Sequence, residues 1–223
     1  MVKPAPAVDS AHAPKRANLA DAFEQVPPYR VKTHVMGAEM VDRLLAYAST
    51  HESAFTSTGV SRDSEDVHFD ETIRESRALR NFGDLRSELE NRFETAMREA
   101  QHSIGLSGVR WSHLELQLVA HGDGARFLTH IDTMVGDPAS ASYRALSGVY
   151  YFHREPRGFS GGALRLHPIA GGSGDRYVDI SPENDSFVSF LSWAPHEVRP
   201  VCCPSGEWLD SRFAINCWLW AKR

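Results

Sequence analysis

Residues 122–133 read GDGARFLTHIDT. The Gly-Asp-Gly triplet is a turn signal. The run after it ends with His130 and Asp132 on either side of one apolar residue, Ile131. In a strand, side chains at i and i+2 point to the same face, so His130 and Asp132 would project together. A ring nitrogen and a carboxylate oxygen on one face suit a divalent first-row metal. Yet the chain carries 11 histidines, so a chance His-x-Asp pair is common. Two polar residues beside a turn describe the pair equally well, and the rest of the chain has to decide between the readings.

On both sides of that stretch the sequence alternates. VRWSHLELQLVA (109–120) sets Trp111, Leu114, Leu116 and Leu118 among polar partners, a strand pattern. Further short runs follow: ARFLTHI, ALSGVYYFH, GGALRLH, RYVDI, SFVSFLS, HEVRPV and RFAINCWLW. Gly-Asp-Gly, Gly-Gly-Ser-Gly and Pro-Glu-Asn-Asp separate them as turns. Upstream, YRVKTHVM (29–36) reads as a short strand. GAEMVDRLLAYASTHE (37–52) carries Met40, Val41, Leu44, Leu45 and Tyr47 at helical intervals. TGVSRDSEDVHFDETIRES (58–76) is polar and reads as a loop. FGDLRSELENRFETAMREAQHSIGL (82–106) spaces Leu85, Leu89, Phe93 and Met97 as a long amphipathic helix that Gly105 would end. Two helices before about eight short strands predict a mainly β fold with N-terminal helices, a helix-buttressed barrel or double-sheet jelly roll. Residues 1–28, rich in Ala, Pro and charge, are expected to be a flexible tail. Residues 29–223 are expected to be one domain, with a helical buttress over about 37–105 and a β core over about 109–223.

Composition narrows the function classes. The length of 223 residues suits one domain, and 42% apolar content supports a real core. A net charge of -5 without a long basic run disfavours binding to a nucleic-acid backbone. The first residues lack the apolar segment of a signal peptide, and no apolar run is long enough to span a bilayer. The three cysteines make no disulfide framework, since Cys202 and Cys203 are adjacent and Cys217 stands apart. These features predict a cytoplasmic protein without membrane association.

A third metal ligand would have to come from a neighbouring strand. FLSWAPHEVRPV (190–201) offers His196 after an apolar run and a Trp-Ala-Pro corner; alone, it reads as a surface histidine at a turn. DSRFAINCWLW (210–220) then starts an apolar strand with Arg212, which shares a face with Ala214, Asn216 and Trp218. An arginine aimed into a barrel is costly unless an anion pairs with it, and its fork suits a carboxylate. The plainer reading is an arginine at a strand end pairing with a surface acid.

Taken together, His-x-Asp, the later His-Glu-Val-x-Pro and the following arginine resemble the iron(II)- and 2-oxoglutarate-dependent oxygenases, in particular their prolyl 4-hydroxylase-like branch. The matching text is GDGARFLTHIDT, GVYYFHREPRGFSGGALRL, DISPENDSFVSFLSWAPHEVRPV and RFAINCWLW, running in family order from about Leu114 to Trp220. The resemblance implies a double-stranded β-helix. It also implies His130, Asp132 and His196 as iron ligands, and Arg212 and Tyr151 as the residues that hold the distal carboxylate of 2-oxoglutarate. Arg144 falls where relatives often carry an arginine that contacts substrate. The implied reaction is hydroxylation of an unactivated C–H bond using Fe(II), 2-oxoglutarate and O2, with ascorbate as a candidate reductant. Related halogenases have a small residue at the position of Asp132, so its presence points to hydroxylation; desaturation or cyclisation share the same chemistry.

The chain departs from the pattern in places. Phe127 and Ala120 stand where relatives have tyrosines, and CCPSGEWLDS (202–211) lengthens the segment before Arg212, either as part of a lid or as a longer turn. Asp123 reads as a turn residue, Gly161 and Gly162 as a close approach of chains, and Trp193 and Trp218 as core or pocket wall. Arg165 faces either cavity or solvent. The substrate is a prolyl residue of a protein or peptide, a free amino acid or a small natural-product intermediate. Non-catalytic and cupin-like metal-binding barrels are the rival classes. The sequence does not determine the oligomeric state.

Overall fold

A computed structural model of the chain describes residues 23–58, 60–63, 66–68, 76–133, 141–170 and 176–222. In chain order the elements are β1 (Tyr29–Thr33), α1 (Ala38–Thr50), β2 (Thr56–Ser57), β3 (Val60–Asp63), β4 (Asp66–His68), β5 (Arg77–Leu79), α2 (Arg86–Ile104), β6 (Trp111–His121) and β7 (Phe127–His130). They continue as β8 (Ser142–Phe152), β9 (Ser160–Gly161), β10 (Leu164–Leu166), β11 (Val178–Ile180), β12 (Ser186–Leu191), β13 (His196–Val198), β14 (Val201–Cys202) and β15 (Arg212–Lys222). Each of the eight runs expected after residue 108 is a strand here.

β6, β8 and β15 form the centre of a seven-stranded sheet ordered β1-β12-β8-β15-β6-β5-β2, and a four-stranded sheet ordered β11-β10-β13-β7 makes the second layer. Every pairing in the two sheets is antiparallel. The period of two divides the large sheet cleanly. Tyr150, Phe152, Phe187, Phe213 and Ile215 turn to the helix side, where Phe93 of α2 meets Tyr150 and Phe187 at ring separations of 5.6 and 5.7 Å. The opposite face, with Ser147, Tyr151, Arg212 and Trp218, turns inward.

The helices form because their apolar residues make one stripe. α1 buries Met40, Val41, Leu44 and Ala48, and α2 buries Leu89, Phe93, Ala96, Met97, Ala100 and Ile104. Gly105 ends α2 in a left-handed conformation (φ 87), its N–H bonding back to the last turn. The start of α2 is later than the sequence pattern suggested. Residues Gly83–Leu85 form a 3₁₀ turn, because Asn81 Oδ1 accepts the Gly83 N–H at 3.0 Å and Gly83 has φ 48.

Some expectations need correction. The polar segment 58–76 is not all loop: β3 and β4 pair within it, and β2 and β5 flank it as a further pair. Strands this short carry too few residues for alternation to be read. Of the expected tail, residues 1–22 lie outside the described ones. Phe23 O accepts the Ala170 N–H at 2.9 Å, and Glu24 pairs with Arg176. The 202–211 segment ties the barrel to α1. Trp208 donates from Nε1 to Ala48 O at 2.9 Å and packs edge-on against Phe55 and Phe213. Trp193 is 42% exposed in the turn after β12 rather than core, whereas Trp218 is buried. Asp123 serves its turn by accepting the Cys203 N–H at 2.7 Å. Arg165 turns away from the buried Leu164 and Leu166 to fork onto Asp179. No helix among the described residues is long and apolar enough to cross a membrane.

Candidate metal and cosubstrate site

β7 and β13 run side by side with His130 directly opposite His196. Asp132 follows two residues after His130, fixed by its own N–H donating to Ser192 O at 2.8 Å. One potential ligand atom from each of His130, Asp132 and His196 lies within 4.8 Å of the others. His130 Nε2 is 3.7 Å from Asp132 Oδ1, and His196 Nε2 is 3.6 Å from Oδ2. The two rings share a tautomer. Nδ1 of His130 meets Leu128 O, and Nδ1 of His196 meets Ala194 O, each at 2.8 Å. A carbonyl only accepts, so both protons sit on Nδ1 and both Nε2 atoms carry the lone pair that a metal takes.

Packing orients the rings further. The β7–β13 register shifts between His196 and Val198, so Phe127 opposes Val198 while His130 opposes His196. This extra residue brings Phe127 onto the His130 face, where the rings stack at 3.6 Å. Phe190 meets His196 edge-on at 4.7 Å. Asp132 is held by Ser147, whose hydroxyl donates to Oδ2 at 2.6 Å. Ser147 and Ser192 hydroxyls are 2.9 Å apart. Since the Ser147 proton goes to Asp132, Ser192 is the donor in that contact. Burial pushes the Asp132 carboxyl up, but His196, His130, the Ser147 hydroxyl and, more weakly, the Trp218 indole N–H outweigh it and hold it below the usual carboxylate range.

Deeper along the inner face lies Arg212, 1% exposed. Its Nε donates to Gly162 O at 2.7 Å and its Nη1 to His121 Nδ1 at 3.3 Å, and its Cζ lies 4.8 Å from the centre of the Tyr151 ring. Among the described residues no carboxylate pairs with it. The Tyr151 hydroxyl is buried beside it without a hydrogen bond of good geometry to any described residue. Burial pushes the Arg212 guanidinium down and the Tyr151 phenol up. Ser147, under Asp132, and Tyr151, under Arg212, are same-face positions four residues apart on β8, about 13 Å by strand rise.

These groups fit an iron-bound diacid. Two neutral imidazoles and one carboxylate form the donor set that leaves open positions on iron. A buried cation without an acid among the described residues, next to a buried phenol, suits a carboxylate. Arg144, also singled out in the sequence, lies outside the cluster. Its Nη2 pairs with Glu115 at 2.8 Å and its guanidinium covers the Trp218 ring at 4.0 Å. Sequence reasoning missed Ser147, Ser192 and His121 and did not connect Gly162 to Arg212. The parity of β8, which puts Ser147 on the Tyr151 face, was the available signal for Ser147.

Residues 116–220 match the 2OG-Fe(II) oxygenase superfamily. A 139-residue stretch is 36% identical to an uncharacterized PKHD-type hydroxylase of Synechocystis sp., covering 60% of this chain and 45% of that protein. The chain therefore spans less than half the length of that curated relative. Among solved structures, a Pseudomonas putida prolyl-4-hydroxylase superimposes with a TM-score of 0.63 at 21% identity, covering 92% of this chain and 99% of that one. A Trichoplax adhaerens prolyl hydroxylase, solved with a hypoxia inducible factor oxygen degradation domain peptide fragment, gives 0.63 at 19% identity, covering 86% and 82%. At these identities the likeness is one of fold, and it makes the two facing sheets a double-stranded β-helix. The stretch that matches the 2OG-Fe(II) oxygenase superfamily, residues 116–220, is the one that carries His130, Asp132, His196 and Arg212.

Proposed function

We propose that the protein is an Fe(II)- and 2-oxoglutarate-dependent dioxygenase that hydroxylates an unactivated C–H bond of a prolyl residue in a peptide or protein. The observation that carries the cosubstrate assignment is Arg212, a buried guanidinium with no acid partner among the described residues. His130, Asp132 and His196 hold the iron. Arg212 and Tyr151 hold the distal carboxylate of 2-oxoglutarate. When bound, iron and 2-oxoglutarate supply the oxidative chemistry, in which decarboxylation to succinate and CO2 is coupled to insertion of one oxygen atom of O2 into the substrate.

The chain's own residues do the positioning. The Nδ1 contacts fix both imidazoles, and Ser147 orients the Asp132 carboxylate. Arg144, with its Glu115 and Trp218 neighbours on the inner face, is proposed to meet the substrate. The fold shared with prolyl hydroxylases supports the prolyl reading. A cytoplasmic location belongs to the same proposal and rests on three cysteines without a disulfide.

Anaerobic titration of the apoprotein with Fe(II) and then 2-oxoglutarate tests the assignment through the visible metal-to-ligand charge-transfer band. The band is expected in wild type, absent in His196→Ala and weakened in Arg212→Ala. A folded, iron-loaded wild type without the band would overturn the reading. Turnover of a free amino acid but not of proline-containing peptides would replace the substrate class.

A further inference from the structure

His121 ends β6 directly across the ladder from Arg212, which begins β15. Both side chains are buried, at 4% and 1% exposure. Arg212 Nη1 and His121 Nδ1 are 3.3 Å apart. A guanidinium offers only donors, so Nδ1 must hold its lone pair, and the neutral ring carries its proton on Nε2. This is the opposite tautomer from His130 and His196, whose Nδ1 atoms donate. The two triad rings reserve Nε2 for a metal, while His121 commits its lone pair to a cation.

The identity of that acceptor matters. A carboxylate beside Arg212 would neutralise the guanidinium and compete with an incoming anion. An imidazole and a backbone carbonyl fix the fork without cancelling its charge. Gly162 O takes the Nε proton, His121 takes one Nη1 proton, and the Tyr151 ring underlies the plane. Among the described residues no carboxylate takes the remaining N–H groups, and the Tyr151 hydroxyl lies beside them.

We infer that His121 is a positioning residue for 2-oxoglutarate: a neutral acceptor that sets the angle of the Arg212 fork toward the distal carboxylate. The inference rests on the proposed role of Arg212. His121 acts through the arginine.

The test is anaerobic calorimetry on Mn(II)-loaded protein with two ligands, 2-oxoglutarate and pyruvate. Pyruvate offers the same keto-acid end but no distal carboxylate. His121→Phe is expected to weaken 2-oxoglutarate about tenfold or more and pyruvate less than about twofold, the scale of one charge-assisted contact. His121→Asn, which restores a side-chain oxygen, is expected to recover most of the loss. His121→Asp, which brings a competing carboxylate, is expected to weaken 2-oxoglutarate further than Phe does and leave pyruvate unchanged; it decides the question if the Phe variant does not fold. Equal weakening of both acids, or wild-type 2-oxoglutarate affinity in Phe or Asp, overturns the role of His121. A wild type that binds metal but neither acid overturns the oxygenase reading itself.

Discussion

Gly162 and Arg212 occupy one space. A Cβ on Gly162 would lie 2.5 Å from Arg212 Cδ and 3.0 Å from its Nε, and the Gly162 carbonyl takes the Nε proton at 2.7 Å. Gly162 also has φ 67, a left-handed conformation that side chains rarely adopt. The glycine therefore both admits the arginine and fixes its direction. Gly162→Ala is expected to displace the guanidinium and weaken 2-oxoglutarate binding by about tenfold or more, with a stability cost of about 1–3 kcal/mol from the strained backbone. Binding calorimetry and thermal unfolding read the two effects separately. Unchanged 2-oxoglutarate affinity in a folded variant would contradict this account.

Asp132 and Ser147 make a graded pair of tests. Asp132→Ala removes the carboxylate that both histidine Nε2 atoms face, and hydroxylation is expected to vanish. Ser147→Ala keeps the carboxylate but removes the 2.6 Å donor that orients it. Metal affinity is then expected to fall by about 10–100-fold, the range for partners that hold a metal ligand. Co(II) titration followed by its visible spectrum measures this without turnover, and retained activity in Asp132→Ala would remove Asp132 from the site.

The sequence was informative where a residue type and its strand parity agreed. His130 and Asp132 are two residues apart, and Arg212 heads an apolar strand, so each could be read as facing inward. His196 could not be placed alone, because its partner is 66 positions away by numbering and meets it only through the β7–β13 register. His121 was illegible for the same reason, since it meets Arg212 only across the β6–β15 ladder; Gly162 could be read as a close approach of chains but not as one to Arg212. Phe127 was read only as a lost hydroxyl. Its stacking on His130 depends on an irregular register that alternation cannot reveal. The β3–β4 hairpin failed for lack of length.

Arg144 links a partly buried ion pair to acid stability. It pairs with Glu115, which also accepts from Trp220 Nε1 at 3.0 Å and Arg80 at 3.0 Å. Burial pushes the Glu115 carboxyl up, but Arg144, Trp220 and Arg80 together hold it below its usual range. A depressed folded pKa contributes stability that is complete above the unfolded value, about 4.3, and is lost as pH falls through the folded value. Arg144→Met removes the main compensating charge, so Glu115 should protonate at higher pH. Acid unfolding followed by circular dichroism is expected to begin at higher pH in the variant. If Arg144 also meets substrate, the same variant raises KM for peptide by about tenfold while metal and 2-oxoglutarate affinities stay within about twofold. A wild-type KM would release Arg144 from substrate binding.

Asp185 anchors the helical layer to the barrel through the helix-side face of the large sheet. Its Oδ1 accepts from Met36 N at 2.7 Å and from the Tyr150 hydroxyl at 2.9 Å, and its Oδ2 from Gly37 N at 2.9 Å. Those two backbone donors lie at the entrance to α1, where a carboxylate also meets the positive end of the helix. Asp185 is buried and has φ 54, so the turn before β12 is bent to deliver it. Asp185→Ala leaves two backbone N–H groups and a buried phenol without their acceptor, and is expected to cost about 3 kcal/mol or more. Urea unfolding measures the loss as a lower midpoint at unchanged slope. Below the transition, the metal and 2-oxoglutarate affinities should match wild type, because the triad is held by β7, β13 and the Ser147–Ser192 contacts rather than by α1. A variant as stable as wild type would mean that the packing of α1 and α2 alone holds the helical layer.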